Sequence, residues 1–167
     1  MGCGKSSVGR RLSELLCCSF IDLDDVIEER EGRSIPEIFA TEGEAAFRQM
    51  ELEALKAVLN SESERHTNND IVLALGGGAV TTEACALMVR DKTLCVYLRA
   101  SVDTLVEHLA GEAAGRPMLA DADLRTRIET LMQQRSATYE KTAHTIIDTD
   151  GKSIDEIACE IGKQVAQ

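Results

Sequence analysis

The chain has 167 residues, enough for one domain with a single hydrophobic core. No apolar run approaches the roughly 20 residues that a membrane-spanning helix needs. The net charge of −11, from 18 basic and 29 acidic side chains, works against a nucleic-acid binder, which would need a dense basic surface. We therefore expect one domain over residues 1–167 that binds neither membrane nor nucleic acid.

Helices and strands are predicted to alternate along the whole chain. Strands are expected at 19–22, 71–75, 94–98 and 145–148. Helices are expected at 5–16, 24–31, from 34 onward, from 44 to about 59, 82–91, 101–109, 123–138 and from 153 onward. Polar residues 60–70 predict a surface loop, and the Gly-rich segment at about 110–122 predicts a small mobile lid. This order indicates an α/β fold with a central parallel sheet and helices on both faces, which binds ligands beyond the carboxyl ends of its strands.

The six cysteines are scattered, with neither a C-x-x-C pair nor a histidine at zinc spacing. Most of them have apolar neighbours, so we expect buried, reduced thiols. Reduced thiols are typical of a cytoplasmic protein, and the amino terminus shows no apolar signal region.

A phosphate-binding loop is predicted at the start of the first helix. Gly2-Cys3-Gly4-Lys5-Ser6-Ser7 has the form of the end of a Walker A motif, G-x-x-x-x-G-K-[ST]. Gly4 would let the backbone approach a phosphate, Lys5 would reach the outer phosphates, and Ser6 would place its hydroxyl on magnesium. The motif's first glycine would fall at position −1, so we expect the preceding strand to be missing and Met1 to be an internal methionine. Taken alone, the four letters G-K-S-S also suit an ordinary helix start.

Two acidic residues and a glycine run follow the predicted strands. Asp22 and Asp24 could hold magnesium through water and accept a proton from an attacking hydroxyl, or they could simply be acids at a helix start. A run of three glycines, Gly76, Gly77 and Gly78, comes directly after a buried strand. Because glycine has no side chain, a ligand could contact the backbone there.

Three arginines are candidates for binding an anion. Arg48 lies on an acid-rich helix, where a solvated side chain is the plain alternative. Arg116 lies in the predicted lid, where it could close over a transferring phosphate. Arg135 falls near the end of a predicted helix, where any cation is favoured by the dipole.

Together these segments resemble the shikimate kinase family over essentially the whole chain. The resemblance depends on their order and spacing: GKSS, FIDLDD (20–25), GRSIPEIFATEGEAAFR (32–48), LGGGAV (75–80), VYL (96–98), GRPML (115–119), RSATY (135–139) and IIDTDGKS (146–153). It implies a three-layer P-loop kinase fold. It also implies transfer of the γ-phosphoryl group of ATP to the 3-hydroxyl of shikimate, with Mg²⁺, in chorismate and aromatic amino acid biosynthesis.

The resemblance also assigns roles to residues. It implies that Lys5 contacts the transferring phosphate, that Ser6 ligates magnesium and that Asp22 stands behind the metal. Asp24 would bind substrate hydroxyls and act as the base. The resemblance places Arg48 and Arg135 on the shikimate carboxylate, Gly77 and Gly78 in the substrate-binding run, Arg116 in the lid and Lys152 near the adenine.

Two other functions stay open at this point. The chain could be another small-molecule P-loop kinase, acting on gluconate or a nucleoside monophosphate, or a non-catalytic nucleotide-binding remnant. The family's chain normally begins with a strand and a complete loop, so we expect the stability and activity of this chain to be reduced. We expect a monomer.

Overall fold

The computed structural model describes residues 2–64, 70–112 and 121–165. Within these ranges the chain forms the strands β1 (Ser19–Asp22), β2 (Ile71–Ala74), β3 (Val96–Arg99) and β4 (Thr145–Asp148). The helices of the same ranges are α1 (Lys5–Leu16), α2 (Leu23–Glu31), α3 (Ile35–Glu64), α4 (Glu83–Lys92), α5 (Val102–Glu112), α6 (Asp121–Thr142) and α7 (Ile154–Val165). A 3₁₀ turn at Ala79–Thr81 precedes α4. Across the described ranges, no helix has the length and apolarity required to cross a membrane.

The strands pair in parallel, as the alternation of strands and helices predicted. β1 pairs with β2, with Ser19 opposite Ile71, and β3 pairs with β4, with Val96 opposite Thr145. The predicted α/β class with parallel strands is confirmed. The described strands form two parallel pairs rather than one continuous sheet.

Helices cover both faces of these strands, and the side chains of β2 show why. Val72 packs against the cluster that α1 and α7 build from Val8, Leu12 and Ile161. Its neighbours Ile71 and Leu73 pack instead against the cluster built by α2, α3 and α4. Successive side chains of a strand point to opposite faces, so a continuous apolar run marks a strand covered on both sides.

A mainly apolar space of about 1160 Å³ lies between the two strand pairs. Its walls include residues 71–75 of the β2 segment and 94–98 of the β3 segment, together with side chains of α1 and α6. We call this space the interstrand groove.

Several predicted bounds were wrong, and the helices are longer than expected. Helix α3 continues to Glu64, although residues from 60 onward were assigned to a loop. The helix expected to begin at 34 and the one expected after 44 are merged in α3, with Gly43 as a kink (φ 81°, ψ 179°). Helix α6 runs to Thr142 rather than 138, and Tyr139 near its end stacks on Tyr97 with ring centroids 5.2 Å apart.

The cysteine prediction is confirmed in one part and wrong in another. All six cysteines are free thiols, as expected. Cys85 is buried, but Cys17 and Cys159 are exposed. Cys17 ends α1 in the left-handed conformation (φ 52°), a turn that lies at the surface although its neighbours in sequence are apolar.

Candidate active site

The first site element is a small hollow at the amino end of α1. Gly2 and Gly4 both have positive φ (67° and 74°), a conformation that favours glycine, and they bend the backbone into the helix. The hollow has a volume of about 170 Å³ and is lined by Gly2, Gly4, Lys5, Ser6 and Ser7. Unpaired N–H groups and the helix dipole make such a place an anion-binding site.

Cys3 does not line this hollow. Its side chain packs instead against the apolar cluster of α5 and α6, which includes Leu105 and Leu109. The proposed contribution of Cys3 to nucleotide binding is therefore limited to its backbone.

The second element is a pair of oxygens beside the hollow. The hydroxyl of Ser6 donates to Oδ2 of Asp22 over 2.6 Å. Asp22 ends β1 and also caps α2, because its Oδ1 accepts the backbone N–H of Asp24 at 3.1 Å. Asp22 is therefore a helix cap whose second carboxylate oxygen faces the phosphate loop.

Asp24 is the third element, and its environment disfavours the charged form. Burial is the largest influence that raises the pKa of Asp24, and the charge of Asp22 adds to it, while Lys5 acts in the opposite direction. Loss of water and a neighbouring negative charge both raise the pKa of a carboxylate, and a nearby positive charge lowers it. A carboxylate with a raised pKa beside a phosphate hollow is suited to accepting a proton.

The glycine run connects three charged side chains. A Cβ built on Gly76 would lie 2.8 Å from Oδ1 of Asp24, and one built on Gly78 would collide with the guanidinium group of Arg48. The carbonyl oxygen of Gly77 accepts a hydrogen bond from Arg135 at 3.3 Å. Each of three successive glycines thus contacts a different charged residue, and a side chain at Gly76 or Gly78 would displace its partner.

Arg48 is held by acids on its own helix. Its two terminal nitrogens donate to Glu51 at 2.8 Å and to Glu44 at 3.0 Å. The guanidinium group is mostly buried, which distinguishes it from the solvated helix arginine that was the plain alternative.

Sequence reasoning missed Glu51. Glu51 is fully buried. Within the described ranges, its Oε1 is the one buried side-chain nitrogen or oxygen atom without a hydrogen-bond partner. Burial is the largest influence that raises the pKa of Glu51, against the lowering effect of Arg48. The signal was present in the sequence, because an acid at 51 lies on the stripe formed by Phe47, Ala54, Leu55 and Val58.

Arg135 lies inside α6 rather than near the end of a helix, since α6 continues to Thr142. The dipole explanation for a cation at this position therefore fails. Tyr139, one turn later, also donates from its hydroxyl to the Gly77 carbonyl. Arg135 and Tyr139 together anchor α6 on the glycine run.

Two predicted residues are not part of this constellation as the structure describes it. Lys152 follows β4, and its ammonium group donates to Glu160 at 2.6 Å. Arg116 and most of the predicted lid lie outside the described residues.

The positions of these groups define the class of protein. An anion hollow at the start of α1 lies at the carboxyl ends of parallel strands, and an Asp–Ser oxygen pair and a partly buried carboxylate adjoin it. This is the arrangement of a P-loop phosphotransferase, in which the loop holds a nucleotide phosphate and the neighbouring groups hold the acceptor.

Comparison with known proteins identifies the family. A family model described as shikimate kinase matches residues 1–166. A shikimate kinase of Rhodopirellula baltica is 40% identical over 165 residues, which are 97% of this chain and 84% of the relative. The chain therefore belongs to the shikimate kinase family, whose members are ATP-dependent kinases.

Solved structures agree. The shikimate kinase of Acinetobacter baumannii in complex with shikimate has a TM-score of 0.86 at 31% identity, covering 99% of this chain and 88% of that one. A gluconokinase of Sinorhizobium meliloti has a TM-score of 0.54 at 19% identity, covering 99% of this chain and 91% of that one. The second likeness concerns the fold alone.

Proposed function

We propose that this chain transfers the γ-phosphoryl group of ATP to the 3-hydroxyl of shikimate, giving ADP and shikimate 3-phosphate. One observation carries the proposal: Gly76, Gly77 and Gly78 each contact a different charged side chain next to the phosphate hollow. Those side chains are one carboxylate, Asp24, and two guanidinium groups, Arg48 and Arg135. A small ring with one carboxylate and three hydroxyls has the complementary groups.

In this proposal Arg48 and Arg135 bind the shikimate carboxylate, and Asp24 accepts hydrogen bonds from the ring hydroxyls. The absence of side chains on the glycine run lets the ring approach the backbone. Glu51 positions the Arg48 guanidinium through its 2.8 Å hydrogen bond and leaves that group able to donate to a ligand. Planar, forked donors suit a carboxylate better than a single ammonium group does.

The loop of Gly2, Cys3, Gly4, Lys5, Ser6 and Ser7 binds the ATP phosphates through its backbone N–H groups and the Lys5 ammonium. The residues present also fit Mg²⁺, since hydroxyl and carboxylate oxygens are the ligands this cation prefers. Ser6 would hold the ion directly and Asp22 through water. Within the described residues no cluster of three or more metal-ligating side chains occurs. Mg²⁺ is usually bound through one or two protein groups and by substrate phosphates, whose charge it would offset.

The chemical step begins at Asp24, which accepts the proton of the 3-hydroxyl as that oxygen attacks the γ-phosphorus. A new O–P bond forms, the bond from the γ-phosphorus to the β,γ-bridging oxygen breaks, and ADP leaves. Lys5 stabilises charge on the transferring group. By the family's pattern we assign Arg116 a catalytic contact with the nucleotide phosphates and Lys152 a contact near the adenine.

We further propose that the chain acts as a monomer in the cytoplasm. Six free thiols support a reducing compartment.

A coupled ADP-release assay tests the function. The purified chain is incubated with ATP, Mg²⁺ and, in parallel, shikimate, gluconate or a nucleoside monophosphate. We expect turnover that depends on shikimate and a loss of about 10²–10⁴-fold in kcat for Asp24→Asn, the usual contribution of a general base. Asp25→Asn is the matched control because the Asp25 side chain is 72% exposed on the same helix. Turnover with another acceptor, or none with shikimate from a folded chain that binds ATP, would reject the proposal.

A further inference from the structure

We propose that Tyr139 is a positioning residue of the acceptor site. Its hydroxyl satisfies the carbonyl oxygen of Gly77, and Arg135 is thereby left free to bind the carboxylate of the acceptor. This role rests on the proposed function, since it needs Arg135 at that carboxylate.

The carbonyl groups of the glycine run differ in their partners. Those of Gly76 and Gly78 each accept a backbone N–H three residues further on, at 3.1 and 3.0 Å. Among the described residues, the carbonyl of Gly77 receives no backbone N–H and accepts instead from the side chains of Arg135 and Tyr139. A carbonyl oxygen has two lone pairs, so it can accept from both donors. The Gly77 carbonyl is therefore the one of the three that depends on α6.

The two donors to this carbonyl are not equivalent. Nη1 of Arg135 lies 3.3 Å from the Gly77 oxygen, which is a long distance for an N–H···O hydrogen bond. The hydroxyl of Tyr139 donates to the same oxygen, and its position four residues after Arg135 places it on the same face of α6. Arg135 can give up its weak bond to a stronger acceptor without leaving the carbonyl unpaired, because the hydroxyl remains.

Arg135 lacks the acidic partners that hold Arg48. Arg48 donates to Glu51 and Glu44, whereas Arg135 forms no ion pair within the part of the chain that the structure describes. A half-buried guanidinium group without a counter-ion favours an anionic ligand. A carboxylate offers it two parallel hydrogen bonds, which the single carbonyl of Gly77 cannot match.

The ring of Tyr139 is held from two sides, and these contacts fix the direction of its hydroxyl. It packs on Tyr97 with ring centroids 5.2 Å apart, and it also packs against the core cluster of α2, α3 and α4. Phenylalanine can keep both contacts, so Tyr139→Phe removes the hydroxyl and retains the packing of α6. Tyr97→Phe removes the other hydroxyl of the same ring pair and is the matched control.

Removal of the Tyr139 hydroxyl should weaken the binding of shikimate. In Tyr139→Phe the Gly77 carbonyl keeps Arg135 as its donor, so binding of the carboxylate leaves that carbonyl unpaired or divides the guanidinium group between two acceptors. We expect KM for shikimate to rise by about 5–20-fold, the effect of one unpaired polar group. Both kcat and KM for ATP should stay within about twofold, because no residue of α6 lines the phosphate hollow. In Tyr97→Phe all three constants should stay within about twofold of the wild type.

An Arg135→Ala background separates positioning from a structural effect. If the hydroxyl acts through Arg135, Tyr139→Phe should change kcat/KM for shikimate by less than about twofold once Arg135 is absent. Damage to the fold would instead lower kcat/KM by the same factor in both backgrounds. The thermal midpoint of every variant is also measured with and without saturating shikimate, because its rise reports binding without turnover.

Three outcomes would overturn the role of Tyr139. They are an unchanged KM for shikimate in Tyr139→Phe, an equal rise in Tyr97→Phe, and an equal loss of kcat/KM in both Arg135 backgrounds. The proposed function fails on a different result, namely a wild-type chain that binds shikimate without phosphorylating it. In that case the thermal shifts of the same variants still decide the role of Tyr139. A wild-type chain that does not bind shikimate would overturn both.

Discussion

At the level of single residues, the site places two carboxylates close together, with Glu51 buried and Asp24 half-buried. Asp24 and Glu51 both approach Gly76, and burial raises the pKa of each. Ionised carboxylates that lose water and face another acid cost stability unless they are paired. Glu51 has Arg48 as a partner, whereas the cation that acts on Asp24 is Lys5 of the phosphate loop. The ionised form of Asp24 therefore lowers the stability of the folded chain.

The raised pKa of Asp24 leads to a prediction for the thermal stability of the Asp24→Asn variant. Because the pKa of Asp24 is higher in the folded than in the unfolded chain, its ionisation costs stability above the folded pKa, and that cost disappears as pH falls. We expect the variant to have a higher thermal midpoint than the wild type at pH 8. The gain should not exceed about 2–4 °C, since water still reaches part of the carboxylate, and should vanish below the ordinary aspartate range.

Calorimetry of both proteins from pH 8 to pH 3.5 measures this difference, with Asp25→Asn as the exposed control. A variant that is less stable than the wild type at pH 8 would contradict the assignment of a costly charge to Asp24.

A second residue-scale prediction concerns Arg48→Lys. Lysine keeps the positive charge but cannot span Glu51, Glu44 and a ligand carboxylate with one planar group. We expect kcat/KM for shikimate to fall by about 10–100-fold, the value of one or two charge-assisted hydrogen bonds, with KM for ATP nearly unchanged. Arg33→Lys is the control, since half-buried Arg33 is paired with Glu42 and lies outside the site. A parallel rise in both KM values would show general damage instead.

At the level of the secondary-structure elements, short polar motifs decide where helices begin. Ser34 and Glu37 form a capping box, with the backbone N–H of Ser34 donating to Glu37 at 2.8 Å. Ser153 and Glu156 form a second one at the start of α7, with the same 2.8 Å distance. The S-x-x-E spacing predicts each of them, because a box joins residues only three apart.

The second box gives a prediction for α7. Ser153→Ala removes the hydroxyl that accepts the backbone N–H of Glu156, so one N–H at the helix start loses its partner. We expect the thermal midpoint to fall by about 2–6 °C with little change in kcat at low temperature. Glu156→Gln is the matched control because glutamine also completes the box. An unchanged thermal midpoint for Ser153→Ala would mean that the hydroxyl of the box does not stabilise α7.

Helix ends were predicted less well than helix starts. The carboxyl ends of α3 and α6 both lie beyond the expected positions. Two contacts of Tyr139 stabilise the last turns of α6. Its ring packs against Tyr97, 42 positions away in the sequence, and its hydroxyl donates to the carbonyl of Gly77, 62 positions away. Apolar periodicity within a helix does not predict contacts with residues so far away in the sequence.

At the level of the whole molecule, the acidic surface should affect stability more than any single ion pair. Exposed pairs such as Arg11 with Glu14 each contribute little. A net charge of −11 repels itself in the compact state, and salt screens that repulsion. We expect the thermal midpoint to rise by a few degrees between about 10 and 200 mM sodium chloride, as the Debye length shortens from about 30 to below 10 Å. Sucrose at equal osmolality is the control, and a midpoint that falls with salt would give the dominant role to the ion pairs.

The α/β class, the phosphate loop, both capping boxes, and the acids and glycines that follow β1 and β2 could be predicted from the sequence. These features depend on hydrogen bonds within a few residues or on alternation along one strand, so they can be recognised locally. Three arrangements required the packed structure. The first is the set of contacts that the glycine run 76–78 makes with Asp24, Arg135 and Arg48. The others are the burial of Glu51 beside Arg48 and the groove between β2 and β3. Those arrangements join residues far apart in the chain, and their geometry exists only once the layers have packed.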